Sequence, residues 1–194
     1  MFTGIIETIG KVTAIQTEGS NKHFCIESTI SKELKVDQSV AHDGVCLTVT
    51  RLEEGKHWVT AINETLAKSN LDLLRPGSKV NLERCMLNNG RFDGHIVQGH
   101  VDQVGKCVSI NEEGGSWQFE IEYDANTGNV TVEKGSVTVN GISLTCFNSK
   151  TNGFTVAIIP YTYAHTSMQD LKAGDIVNLE FDIVGKYVKR LLNL

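Results

Sequence analysis

Two similar phrases in the sequence, GVCLTVT and GISLTCF, place Cys46 and Ser143 at matching positions. A thiol or a hydroxyl at such a position can form a hydrogen bond or act as a nucleophile, although a thiol attacks only as the thiolate. Thr48 and Thr145 follow two residues later, so on a strand each threonine shares a face with the cysteine or serine before it. The spacing predicts a polar pair in each phrase, and ordinary β-branched strand residues would show the same spacing.

The segment GHIVQGH contains two histidines, His95 and His100, of which His100 could move protons. An imidazole titrates near neutral pH, which suits a proton shuttle. A single structural hydrogen bond is the alternative role for such a histidine. The spacing of the pair is not that of a zinc motif, and the five cysteines contain no CxxC. We therefore expect neither a metal site nor a disulfide framework.

Both phrases belong to a repeat that spans almost the whole chain. Residues 39–83 align with residues 136–180 at a constant offset of 97, and PGSKVNLE matches AGDIVNLE in the same register. Near the start of each copy, GIIETIGKV resembles GHVDQVGKC at an offset of 95. Two copies of this length indicate a duplicated domain and not a solenoid of short units.

Each copy has the pattern of several short strands. The segments SVAHDGVCLTVTRL and SVTVNGISLTCFNS alternate apolar and polar residues around Asp-Gly or Asn-Gly, a strong hairpin signal. Further strands are predicted at HWVTAI, KVNLER, WQFEIEY, FTVAII and DIVNLEF, and short helices at ETLAKSNLDLL and YAHTSMQDL. About six strands per copy favour a small closed antiparallel barrel, which has no exposed sheet edge. The predicted fold class is all-β.

The last residues have a different pattern. Val184, Val188, Leu191 and Leu192 recur at helical spacing, so FDIVGKYVKRLLNL predicts an amphipathic terminal helix. Its apolar stripe must be buried either on its own barrel or against other subunits, and the pattern leaves both alternatives open.

Composition excludes several classes of protein. A formal net charge of −5 and 7% aromatic residues provide neither the basic groove nor the stacking platform of a nucleic-acid binder. No apolar run approaches the ~18 residues that span a bilayer, and the start MFTGIIETIG lacks the features of a signal peptide. We expect a cytoplasmic protein with no membrane partner that acts on a small molecule.

Five segments, taken together and in order, resemble the riboflavin synthase family of the α-subunit type: MFTGIIE, SVAHDGVCLTVT, GHIVQGHVD, KGSVTVNGISLT and NLEFD. The resemblance implies two six-stranded Greek-key barrels that bind lumazine, at residues 1–97 and 98–182, and an oligomerisation helix at 183–194. It implies a homotrimer, and leaves association with lumazine synthase open. The implied reaction is a dismutation, without cofactor, in which two 6,7-dimethyl-8-ribityllumazine molecules exchange four carbons to give riboflavin and 5-amino-6-(ribitylamino)uracil. Two identical substrates with different roles would need two similar but unequal half-sites.

The resemblance also implies which residues form the site. The expected catalytic residues are Phe2, Ser39, Cys46, His100, Ser143, Thr145 and Asp182. The expected substrate-binding residues are Gly4, Ile5, Ile6, Cys46, Leu47, Thr48, Thr60, Ala61, Ile62, Asn63, Glu64, Thr65, Gly99, His100, Val101, Lys134, Ser143, Leu144, Thr145, Ala157, Ile158, Ile159, Pro160, Tyr161 and Thr162. Asp182 is expected to bond with Ser39 or to transfer protons near Cys46, and it is equally suited to cap the terminal helix. Taken alone, Lys134 would more often be a solvated surface lysine.

A carrier protein of the same family, which binds lumazine or flavin without turnover, is the alternative function. Such relatives tend to lose the polar residues of the site, whereas this chain keeps them together, which favours an enzyme. Tyr161 and Tyr163 are bulkier than the family pattern leads us to expect beside the pocket.

Overall fold

The computed structural model describes residues 1–192, which form two closed six-stranded antiparallel barrels and a terminal helix. The strands of the N-terminal barrel are β1 (Thr8–Glu18), β2 (Asn21–Glu27), β3 (Ser39–His42), β4 (Val45–Glu53), β5 (Lys56–Ala61) and β6 (Lys79–Arg84). Those of the C-terminal barrel are β7 (Gln103–Glu113), β8 (Ser116–Tyr123), β9 (Ser136–Val139), β10 (Ile142–Lys150), β11 (Gly153–Ile158) and β12 (Ile176–Phe181). The predicted all-β fold is confirmed.

The strand order shows that the two barrels are copies of one topology. The first barrel closes in the order β1-β2-β5-β4-β3-β6, and the second follows the same order six strands later. Both hairpin predictions are confirmed, because Asp43, Gly44, Asn140 and Gly141 all have positive φ, as the central residues of a tight hairpin turn require. The five other strand predictions are each correct to within one residue.

Each barrel interior is filled by the apolar residues of the alternating strands. Val12, Val59 and Leu82 are fully buried in the first barrel, and Phe119, Val156 and Leu179 in the second. Because interiors this small are packed with side chains, a ligand has to bind outside the barrels.

Two short helices, α1 (Asn63–Lys68) and α2 (Pro160–His165), each lead into a 3-10 turn, at Asn70–Leu73 and Ser167–Asp170. The sequence predicted one continuous helix at each place. Ser69 and Thr166 interrupt them because their backbones are extended and their hydroxyls cap the 3-10 turn. A further 3-10 turn lies at Thr29–Glu33 and another at Ala125–Thr127.

The barrels contact each other through a symmetric polar network at the two hairpin turns. The side-chain amide of Asn81 donates to the carbonyl of Asn140, and that of Asn178 donates to the carbonyl of Asp43, both at 2.9 Å. The backbone amide of Asn81 donates to Asp43 Oδ1 and that of Asn178 to Asn140 Oδ1, both at 2.8 Å. Gly44 and Gly141 meet so closely that a Cβ on either would overlap the other's backbone.

The terminal helix α3 (Ile183–Leu192) turns its polar side toward the C-terminal barrel. Lys186 pairs with Asp102 at 2.6 Å, and the Lys189 ammonium donates to the carbonyl of Gly128. The expected apolar stripe is confirmed but is exposed on the single chain, including Val188 at 49% and Leu191 at 79%. Residues 193–194 of the predicted helix lie outside the described residues. No helix in the described part is both long and apolar enough to cross a membrane.

Candidate active site in two half-sites

The chain segments that begin each repeat cross over to the other barrel. Ile6, from the first repeat, packs against the core of the C-terminal barrel, and Val101, from the second, packs against the N-terminal barrel. The crossing places Gly4 beside Ser143 and Gly99 beside Cys46. The amide of Ser143 donates to Gly4 O and that of Cys46 to Gly99 O, both at 2.8 Å.

One buried glutamate holds each crossing segment in place. Glu180 accepts the amides of Gln98, Gly99 and His100 at 2.7, 2.9 and 2.8 Å. Burial raises the pKa of the Glu180 carboxyl, while its hydrogen bonds from the amides of Gln98 and His100 oppose the shift. A carboxylate that accepts three backbone N–H groups can fix a segment that has no strand neighbour of its own.

Glu83 holds the other crossing segment, which begins the first repeat, in the same way. It accepts the amide and hydroxyl of Thr3 at 2.7 and 2.8 Å and the amide of Gly4 at 2.9 Å. Burial is also the main cause of the raised pKa of Glu83. The sequence prediction missed both glutamates, although a signal was present in the VNLE that ends the repeated phrase of each copy.

The N-terminal half-site is a cavity of about 260 Å³ at the surface of the first barrel. Its lining is formed by Val45, Cys46, Glu64, Thr65, Lys68, Ser69, Gly99, His100 and Val101. Burial raises the pKa of the Cys46 thiol, and a hydrogen bond with Ser39 opposes that shift. The thiol therefore stays protonated at neutral pH, which suits a hydrogen-bonding role better than attack as a thiolate.

Phe2 lies beneath this half-site and does not line it. The side chain is fully buried, with Ala41 and Val97, and Cys46 packs against the group. Its backbone pairs with Val97 through N–H···O bonds of 2.8 and 3.2 Å. The ring supports Gly99 and Cys46 from below.

In the C-terminal half-site a histidine lies within hydrogen-bond distance of Ser143, the residue that matches Cys46. His95 Nδ1 lies 2.7 Å from Ser143 Oγ, and the amide of His95 donates to Thr3 O at 3.1 Å. Burial lowers the pKa of His95, and the charge of Asp182 opposes this. The sequence prediction considered His95 only as a metal ligand and missed this contact, which joins residues 48 positions apart.

The rim of the second half-site is aromatic. At the repeat offset of 97, Tyr161 and His165 correspond to Glu64 and Lys68. Tyr161 is 70% exposed and stacks on His165 with ring centroids 4.1 Å apart. Tyr163 instead stacks on Trp117 at 3.9 Å. Both tyrosines that departed from the family pattern are thus held by stacking partners.

The remaining expected residues fall into three groups. Thr48, Thr145 and Lys134 are exposed on the barrel surface, with Lys134 Nζ 5.5 Å from the Phe147 ring centre. Leu47, Ala61 and Ile158 are buried in the barrel interiors, so only their backbones could contact a ligand. Of the others, Ile5, Ile62, Asn63, Ala157, Ile159 and Pro160 are exposed, and Ile6, Thr60, Leu144 and Thr162 are half-buried.

Asp182 lies with the C-terminal half-site in the single chain. Its Oδ1 accepts the amide of Val184 at 2.9 Å, as expected of a residue that begins a helix. Ser39, its expected partner, lies at the N-terminal barrel in a separate cavity of about 660 Å³. Within the described residues, no group of three His, Cys, Asp or Glu side chains could hold a metal ion.

Comparison with known proteins agrees with this architecture. The lumazine binding domain matches residues 3–85 and 98–182. Riboflavin synthase of Actinobacillus pleuropneumoniae is 41% identical over 99% of this chain and 90% of its own length. Riboflavin synthases of Mycobacterium bovis and Bacillus subtilis are 41% and 38% identical, covering 99% and 100% of this chain and 98% and 90% of their own.

Solved structures show the same fold. LumP complexed with riboflavin superposes with a TM-score of 0.86 at 21% identity, over 94% of this chain and all of LumP. LumP complexed with 6,7-dimethyl-8-(1'-D-ribityl) lumazine gives 0.84 at 20% identity, over 93% and 98%. From its duplicated domain and its full-length relatives, the chain belongs to the riboflavin synthase family.

Proposed function

We propose that this chain is a riboflavin synthase. It transfers a four-carbon unit between two 6,7-dimethyl-8-ribityllumazine molecules and releases riboflavin and 5-amino-6-(ribitylamino)uracil. The observation that carries the proposal is the pair of half-sites, which have the same backbone frame but different side chains, with Cys46 in one and Ser143 in the other. A reaction between two copies of one substrate needs two binding sites with the same backbone frame, and because the two copies have different roles, the side chains of the two sites must differ.

The protein's main contribution is orientation. The crossing segments are fixed by Glu83 and Glu180, so the backbone groups of Gly4 and Gly99 would meet each ring in a constant geometry. Holding two reactants in position can lower a barrier by several kcal/mol, roughly 7–11 in the best cases. His100 is exposed at the N-terminal cavity, where its imidazole can carry protons between the ring and solvent.

We further propose that the chain acts as a homotrimer joined through α3, with half-sites of neighbouring copies facing each other. The support is the exposed apolar stripe of α3, since the polar side is already bound to its own barrel through Lys186 and Lys189. Such facing would bring Asp182 and Ser39 of different copies together. A cytoplasmic location is part of the proposal, and the five free cysteines support it because thiols persist in reducing compartments.

Activity is tested by incubating the purified chain with 6,7-dimethyl-8-ribityllumazine alone and following riboflavin by its long-wavelength absorbance. We expect two lumazine molecules consumed per riboflavin formed. Cys46→Ser makes the half-sites more alike, and Ser143→Cys makes them alike in the opposite sense, so the two variants together test whether the difference matters. Tight fluorescent binding without riboflavin would show a carrier and refute the enzyme.

Oligomeric state is tested by light scattering after size exclusion. Leu191→Lys should shift the mass from three chains toward one, whereas Arg190→Ala on the same helix, outside the apolar stripe, should leave it at three. The trimer proposal fails if the unaltered chain elutes as a monomer. The same measurement with added lumazine synthase tests that expected partner.

A further inference from the structure

The two half-sites differ most clearly in what holds the reactive side chain. In the N-terminal half-site the matching residue is the thiol of Cys46, and no imidazole of the described residues bonds to it. In the C-terminal half-site, Ser143 Oγ has an imidazole, with His95 Nδ1 at 2.7 Å. A hydroxyl bonded to a neutral imidazole nitrogen is a far better proton acceptor than a free hydroxyl, because the imidazole takes its proton as it reacts.

The backbone fixes this pair from both sides. His95 donates its amide to Thr3 O, and Ser143 donates its amide to the next residue along, Gly4. Gly94 lies so close that a Cβ there would overlap the carbonyl of Thr3 and approach Ser143 Cβ to 2.9 Å. The serine and the histidine therefore have little freedom to separate.

The charges around the pair favour an imidazole that is neutral but can be protonated. Burial lowers the pKa of His95, whereas the Asp182 carboxylate before α3 opposes that shift. The carboxyl of Glu83 on β6 accepts the amides of Thr3 and Gly4, which are bonded to His95 and Ser143 through their carbonyls, and Asp93 lies two residues before His95 in the chain. The Asp182 carboxylate would stabilise a positive charge that forms on His95.

We propose that His95 is a positioning residue of the C-terminal half-site, where its Nδ1 accepts the Ser143 hydroxyl proton and directs an Oγ lone pair at the C7 methyl group of bound lumazine. As Ser143 Oγ takes a methyl proton, its own proton passes to His95, and the C–H electron pair delocalises into the pteridine ring. The proton returns by the same route. This inference rests on the proposed function.

The test compares the unaltered chain with His95→Asn and Ser143→Ala. Asparagine can still accept the serine hydrogen bond but is not basic. We expect kcat for His95→Asn to fall about 10- to 100-fold, with KM changed by less than about twofold, and the acidic limb of the pH profile to disappear. Exchange of the C7 methyl hydrogens into D₂O, followed by proton NMR, should slow by the same factor.

A double variant completes the cycle. If His95 acts through Ser143, the double variant should be no slower than Ser143→Ala within about twofold. If His95→Asn loses thermal stability and activity together and keeps the pH profile of the unaltered chain, His95 is purely structural. If the losses of activity from His95→Asn and Ser143→Ala add in the double variant, His95 does not act through Ser143. If the unaltered chain makes no riboflavin, the proposed function fails. Methyl exchange in the bound lumazine then still decides the role of His95.

Discussion

A single methyl group at Gly99 should disable the N-terminal half-site. Gly99 has φ of +79°, and a Cβ there would lie 2.6 Å from Cys46 Cβ and 2.8 Å from Phe2 Cε2. Neither neighbour can give way easily, since Phe2 is fully buried and the Cys46 amide is bonded to Gly99 itself.

The expected magnitude follows from two costs. A side chain at positive φ costs about 1–2 kcal/mol, and overpacking costs about 1–3 kcal/mol more, so Gly99→Ala should lower the free energy of unfolding by about 2–5 kcal/mol. Restoring normal contact moves Cys46 by roughly 1 Å, a displacement that can lower kcat about 100-fold.

Gly77→Ala is the matched control. Its φ is +98°, but a Cβ there meets nothing within 4 Å. It should lose only the backbone cost of about 1–2 kcal/mol and keep its activity. Gly4→Ala is the counterpart in the other half-site, where a Cβ would lie 2.5 Å from Ser143 Cβ.

Urea unfolding measures the stability, and fluorescence titration with 6,7-dimethyl-8-ribityllumazine counts the bound ligands. We expect two per chain for the unaltered protein and one for Gly99→Ala or Gly4→Ala. Equal loss of stability in Gly99→Ala and Gly77→Ala, with full activity in both, would refute the close-approach argument.

Three other changes probe the frame around the site. Burial lowers the pKa of His57 from 6.5 to about 4, so the unfolded chain takes up the proton at higher pH than the folded chain does. The free energy of unfolding should therefore fall by up to about 3 kcal/mol as the pH drops from 6.5 to 4. In urea unfolding, His57→Gln should show a shallower dependence of this free energy on pH, and equal dependence in both proteins would contradict the argument. Phe2→Ala should cost about 3 kcal/mol and most of the activity, whereas full activity in this variant would show that the N-terminal half-site does not need the ring. Asn178→Ala removes side-chain bonds to Asn70 and Asp43 and should cost about 2–3 kcal/mol by calorimetry, against almost nothing for exposed Asn111→Ala.

Local features of the fold were predictable because neighbouring residues determine them. The alternation around Asp43-Gly44 and Asn140-Gly141 predicted both hairpins, since the turn needs positive φ at adjacent positions. The duplicated strands predicted two barrels. The sequence prediction missed the helix break at Ser69. The Ser69 hydroxyl caps the following 3-10 turn, and this bond replaces helical structure only when the tertiary fold brings the chain into that turn.

The candidate residues were also visible in the sequence, through the matching positions of Cys46 and Ser143. The hydrogen-bond partners of the site residues were not visible in the sequence. His95 bonds to Ser143, 48 positions away, and Glu180 bonds to Gly99, about 80 positions away. These contacts form because the segment that begins each repeat crosses over to the other barrel. No local pattern encodes that exchange.

Sequence by itself therefore determined the strands, the duplication and the unequal pair of side chains, which follow from short-range backbone preferences and side-chain alternation. Only the tertiary structure decided that each half-site combines both repeats, that His95 lies within hydrogen-bond distance of Ser143, and that α3 leaves its apolar stripe exposed. These features depend on which distant buried polar groups find partners as the barrels pack together, because a buried donor or acceptor without a partner is costly.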